Sequence, residues 1–468
     1  MSRLHRRSRR GLSIPIVAAA LIAGCYVNEG QESAGNGASQ DTGLHVRLAG
    51  NFVLNRDGSR VVTTALLDDG GVPETHLVGL ALPGLEPLVG PTVEDGASPE
   101  VMLTPDPRLA WLVTTRTGRL VVEPLLLDTM TTAAPLQLPG GGDFNAAILS
   151  GDGRRLVLGE VWDARHPRPI ALLDMPLPPE PLGAAPTVVS LDLPGALFDA
   201  RFTRDGARLV VLTVPVDGER HFVQAATVSV YATDVAGAAP LLGRFDLDGL
   251  SLNLLGVLTW SIRISPDGHF AAVSGTEDGA ATTHVVDLRA VTYFDAFPCD
   301  GPVGFTPDGR GMVGFRDVVG VGSQLVISDL FAGTSEATDL AYSNPIYWIS
   351  PDGTRVVTYP FSGRGLVITD LDTMESVRST GADVRLDEFV VSPDADFIYL
   401  VDQGGLYLLD IEIGAVSQLE SPARKYDNIN LRPDGDRLIL AADDTTRFDL
   451  WSLVTATVEA SARLPTRL

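Results

Sequence analysis

Apolar residues in this chain come in short β-rich runs, each bounded by turn-forming residues. Arg208-Leu209-Val210-Val211-Leu212, Thr354-Arg355-Val356-Val357-Thr358 and Arg437-Leu438-Ile439-Leu440 each follow a tight turn, as the second strand of a hairpin must. After a short polar gap comes a third run, often ending on an acidic turn, as in Gly365-Leu366-Val367-Ile368-Thr369-Asp370 and Gly405-Leu406-Tyr407-Leu408-Leu409-Asp410. A fourth, such as Ala415-Val416-Ser417-Gln418-Leu419, leads into the next unit. Runs like Ile398-Tyr399-Leu400-Val401 are too short and too β-rich for a helix, and no long amphipathic helical pattern follows residue 24.

The link between the first and second runs is the most regular feature. It reads (Ser/Thr)-Pro-Asp-Gly, most clearly at Ile264-Ser265-Pro266-Asp267-Gly268, Phe305-Thr306-Pro307-Asp308-Gly309, Ile349-Ser350-Pro351-Asp352-Gly353 and Leu431-Arg432-Pro433-Asp434-Gly435. Weaker copies centre on Asp57, Asp106, Asp152, Asp205 and Asp394, with Pro107 and Ala395 in place of glycine in two of them. Successive aspartates are 49, 46, 53, 62, 41, 44, 42 and 40 residues apart. Proline presets φ, the aspartate carboxylate bonds nearby backbone N–H groups, and glycine takes the left-handed conformation that closes the bend. The nine aspartates are therefore read as structural caps of one hairpin, not as a ring of carboxylates for acid–base work or calcium.

Four short strands per unit of this length predict an all-β protein, a β-propeller whose small sheets bury their faces against their neighbours. The expectation is a single propeller over 43–468, of about eight four-stranded blades, within a range of seven to nine. These units resemble the TolB-like and YVTN-type propeller repeats, relatives of the WD repeat. The resemblance covers nearly the whole chain after residue 42 and implies the fold. The α/β domain that precedes the propeller in TolB has no counterpart here, so the Tol–Pal role does not transfer.

The N-terminus carries an address. Residues 1–10 are basic, and residues 11–24 are apolar but too short for a membrane span. Ile22-Ala23-Gly24-Cys25 resembles the lipobox of bacterial lipoproteins. That resemblance implies a signal peptide over 1–24 and a diacylated Cys25 as the first mature residue. Tyr26 stands where an Asp would imply inner-membrane retention, so the expectation is the cell envelope, at the outer membrane. Residues 26–42, rich in Gly, Ser, Asn, Gln and Glu, cannot build a core and read, with Cys25, as a lipidated tether over 25–42.

Charge narrows the partners. The chain has 35 Lys+Arg against 59 Asp+Glu, and five arginines lie before residue 11. Removal of 1–24 leaves 30 basic residues and a net charge of −29. Such a polyanion repels phosphate backbones, which excludes nucleic acid as a partner and a basic membrane-binding patch.

Catalytic signatures are absent. The one lysine, Lys425, leaves no phosphate loop, and there is no GxSxG or HExxH. The histidines after residue 24 (His45, His76, His166, His221, His269, His284) are spread over several repeats with no i,i+4 pair. The expectation is no cofactor, no metal and no catalytic residue. Asp246-Leu247-Asp248-Gly249 and Asp370-Leu371-Asp372 are fragments of calcium loops without the remaining ligands. Cys299 reads as a small buried residue beside a turn. Two features stand apart as binding candidates: the proline-rich stretch 160–186 and the loop 214–222, both lengthening adjacent repeats. The reading is a non-enzymatic, lipid-anchored envelope module for a protein or glycan partner. The alternative is a propeller lyase or hydrolase with its site at the channel mouth.

Overall fold

The computed structural model describes His45–Arg47 and residues 52–464, apart from connecting segments of which the longest are 68–73, 160–169, 177–185, 216–224 and 253–261. It is all-β, with no α-helix among the described residues. The strands form nine sheets, each built around four strands that are consecutive in sequence. We number the blades in chain order: 1 (53–93), 2 (100–132), 3 (146–191), 4 (196–248), 5 (262–297), 6 (300–339), 7 (345–378), 8 (388–420) and 9 (426–463). The count is nine, at the upper end of the expected range and one above its central value. The turns that lack glycine still carry complete sheets, and the longest repeats hold their extra residues between strands.

The second and third strands of each blade are buried on both faces, so their runs are continuously apolar. In Arg208–Val214, Leu209 and Val211 pack with blade 3, whereas Val210, Leu212 and Val214 pack with blade 5. This two-residue alternation repeats around the molecule and divides the core into nine layers, one between each pair of neighbouring blades. The ninth layer joins the two ends of the chain. Phe52, Leu54, Val61, Val78 and Leu80 of blade 1 pack against Ile439, Ala441, Phe448 and Leu450 of blade 9, with the Phe52 and Phe448 rings 5.4 Å apart, edge to face. The wheel is closed by side-chain packing; blades 1 and 9 each draw all four strands from one end of the chain.

The first strands line the axis, and those of blades 3 to 6 and of blades 8 and 9 contact one another directly. The fourth strands form the rim, where Thr292–Phe297 and Thr334–Asp339 are mostly exposed. Two blades gain a fifth strand. His45–Arg47 pairs antiparallel with the innermost strand of blade 2, Glu100–Leu103, and Thr380–Gly381 runs parallel to Ala415–Glu420 at the outer edge of blade 8.

Candidate interaction face

All nine sequence-predicted aspartates sit between the first and second strands of their blades, so they share one face of the wheel. In each, Oδ1 accepts the backbone N–H two residues on: Asp57, Asp106, Asp152, Asp205, Asp267, Asp308, Asp352, Asp394 and Asp434 do so at 2.9–3.3 Å. In six blades the Ser or Thr two residues earlier donates its hydroxyl to the same oxygen at 2.5–2.6 Å. The same hydroxyl oxygen accepts the N–H that opens the second strand, as Ser350 does from Arg355 at 2.9 Å. One oxygen of each carboxylate is committed to its own turn.

These bonds set the acidity of the carboxylates. Burial alone would raise Asp205, Asp308 and Asp352. Their hydroxyl and backbone donors outweigh it and hold all three below the usual carboxylate value. Asp106 lies low chiefly through its side-chain bond to Arg108.

The glycine after the aspartate has positive φ in seven turns, between 67° and 75°; Ala395 adopts 63° without that freedom. Space matters as well as φ. A Cβ on Gly153 would meet Pro105 of blade 2 at 2.9 Å, one on Gly353 would meet Pro307 of blade 6 at 2.9 Å, and one on Gly435 would meet Pro393 of blade 8 at 2.7 Å. Each of these turns rests on the turn of the preceding blade.

A second turn, between the third and fourth strands, joins the same face. In every blade the first residue beyond the third strand donates its N–H to the carbonyl two residues past the turn aspartate. Leu288 to His269 at 2.7 Å and Leu453 to Asp436 at 2.9 Å are examples. In four blades an aspartate heads this turn and accepts two successive N–H groups: Asp287, Asp329, Asp370 and Asp410. Asp370, read as part of a calcium-loop fragment, caps its turn through Asp372 N–H, Thr373 N–H and the Thr373 hydroxyl. The recurring acidic end of the third run was the sequence signal for this motif.

The other candidates fall apart in space. His269 lies 3.3 Å from Asp287 and stacks on Phe270. His284 is buried in blade 5, with Nδ1 3.1 Å from the Tyr293 hydroxyl and Nε2 3.6 Å from Glu277. Burial holds its pKa below the ordinary 6.5 against the pull of Glu277. His76 contacts the Gly90 carbonyl at 3.3 Å. Cys299 is buried among Phe297, Val303 and Phe305 between blades 5 and 6. Among the described residues, no three His, Cys, Asp or Glu side chains are grouped to hold a metal ion. At the axis, Asp199 accepts the N–H groups of Ala200 at 2.8 Å and Ile262 at 3.2 Å, tying blade 4 to blade 5. Cys25, His166, His221, Lys425, most of 160–186 and most of 214–222 lie outside the described residues.

Comparison with known proteins places the architecture. A crystal structure of the eukaryotic initiation factor aligns over 87% of this chain and 96% of its own, with a TM-score of 0.54 and 14% identity. That likeness shows the fold and nothing finer. A functionally unknown protein from Desulfotomaculum acetoxidans aligns over 64% of this chain (TM-score 0.38, 13% identity), and Kuenenia stuttgartiensis hydrazine synthase over 68% (TM-score 0.36, 15% identity). No family model matches the chain. No curated protein matches it either.

Proposed function

We propose that this chain is a lipid-anchored envelope propeller that binds a protein or glycan partner through a face of the wheel. One observation carries the reading: each of the nine recurrent aspartates commits its Oδ1 to the backbone of its own turn. A wheel built this way recognises a partner by shape and net charge through the face or rim that its anchor leaves free, and propellers commonly serve as binding or scaffolding modules. The lipobox-like run ending at Cys25 supports the anchor, and the charge of −29 after residue 24 favours cationic partners.

Affinity capture of the acylated protein from envelope extracts tests this. A stoichiometric partner should be recovered, and its retention should weaken as salt rises. Recovery of no partner at low salt would count against the binding role. The anchor is read separately, by incorporation of labelled palmitate and its loss in Cys25→Ala.

A further inference from the structure

The strand His45–Arg47 gives the wheel a direction. In every blade the innermost strand runs toward the turn face, because the aspartate turn follows it. His45 pairs opposite Met102 and Arg47 opposite Glu100, so this added strand runs the other way. His45 therefore lies at the turn-face end of this strand. Any anchor attached ahead of residue 45 pulls on that side.

A second observation, independent of the first, singles out the same face. The three most exposed large apolar side chains among the described residues are Val454 (80%), Ile413 (63%) and Phe331 (57%). All three occupy turns between third and fourth strands, in blades 9, 8 and 6. Those turns are clipped to the aspartate turns by Leu453 to Asp436, Ile411 to Asp396 and Leu330 to Arg310, which places the tips on the turn face. They lie within one arc of the ring. Nothing in the turns requires an apolar residue there: Asp372 and Arg289 stand in the corresponding turns of blades 7 and 5.

We infer that the turn face is the membrane-proximal side, and that Phe331, Ile413 and Val454 rest in the interfacial layer of the bilayer. The inference rests on the lipid-anchor reading above and adds the orientation of the body. The 19 residues between Cys25 and His45 allow a separation of at most about 3.5 Å per residue, enough to bring the near face to the lipid surface. Three apolar tips cannot hold a soluble domain on a bilayer alone, but they bias the side that an acyl anchor already keeps close. The occupant is a lipid surface with little net charge, because the acidic body is repelled by anionic headgroups.

The test uses the full acylated chain in phosphatidylcholine vesicles, with Cys299→Ala as background. An environment-sensitive dye is attached at Val454→Cys, or at Ala280→Cys at the exposed start of the third strand of blade 5, on the opposite face. The Val454 dye should brighten about twofold on vesicles and be quenched by lipids spin-labelled near the headgroup, as expected for interfacial insertion. The Ala280 dye should do neither. Quenching at Ala280, at both sites or at neither overturns the assigned face while leaving the anchor intact. Failure of palmitate to enter at Cys25 overturns the anchor reading, and this inference with it.

Discussion

A Cβ placed on Gly58 would lie 2.5 Å from Cδ of Pro433, and these two residues belong to the first and last turns of the ring. The contact that other blades make with their chain neighbour is made here between opposite ends of the sequence. Gly58 therefore serves its own turn, at φ 68°, and the closure of the wheel.

Gly58→Ala should destabilise more than the same change at Gly268. At Gly268 the nearest atom to a new Cβ is 3.6 Å away, so only the left-handed backbone is penalised, by about 1–2 kcal/mol. At Gly58 the proline contact adds to that, for a total of about 2–4 kcal/mol. Denaturant unfolding of the two variants measures the difference; equal losses would mean the closing contact bears no strain.

Ala395→Gly should stabilise. Alanine at φ 63° bears a left-handed penalty of about 1–2 kcal/mol, partly offset by the greater chain entropy that glycine loses on folding. The expected gain is about 0.5–1 kcal/mol, read as a higher unfolding midpoint at unchanged slope.

Asp449 is fully buried, and it accepts the Tyr426 hydroxyl at 2.9 Å and the Ser461 hydroxyl at 2.6 Å. Asp449→Ala leaves the buried Tyr426 hydroxyl without this acceptor, whereas the exposed Ser461 hydroxyl can turn to water, and the change should cost about 2 kcal/mol. Asp449→Asn keeps an acceptor and should lose less, in the same unfolding assay.

Two pH windows should separate. The depressed carboxylates Asp205, Asp308 and Asp352 bind protons more readily unfolded than folded. Their stabilisation is complete above the unfolded value near 4 and is lost as pH falls below it. Asp308→Asn should flatten the fall in unfolding free energy between pH 4 and lower values. His284 acts higher. Its folded pKa lies below 6.5, so the unfolded chain takes the proton first and stability declines as pH drops through that value. His284→Gln should flatten the decline on that interval alone, and a ring-proton titration of the native protein should show a midpoint below 6.5.

The aspartate turns were legible from residues alone because their chemistry is local. Proline, carboxylate and glycine act within five positions, and Ser350-Pro351-Asp352-Gly353 bends by the same bonds whatever surrounds it. Even the degenerate copy at Asp394 could be recognised, since its hydroxyl and backbone bonds survive the loss of glycine. The second turn was less visible because its head varies, from Asp329 to Ser452, and its unity lies in a backbone bond to a distant carbonyl.

From its order of residues, then, the chain determined an all-β body, the place of each first hairpin and the roughly equal units between them. The tertiary structure decided that there are nine blades, that Gly58 meets Pro433, and that Phe331, Ile413 and Val454 share a face with the His45 end of the N-terminal strand. How many wedges close a circle depends on the angle each blade makes with the next. That angle is set by side chains from different blades interlocking in the layers between them, and no single repeat contains both sides of such a layer.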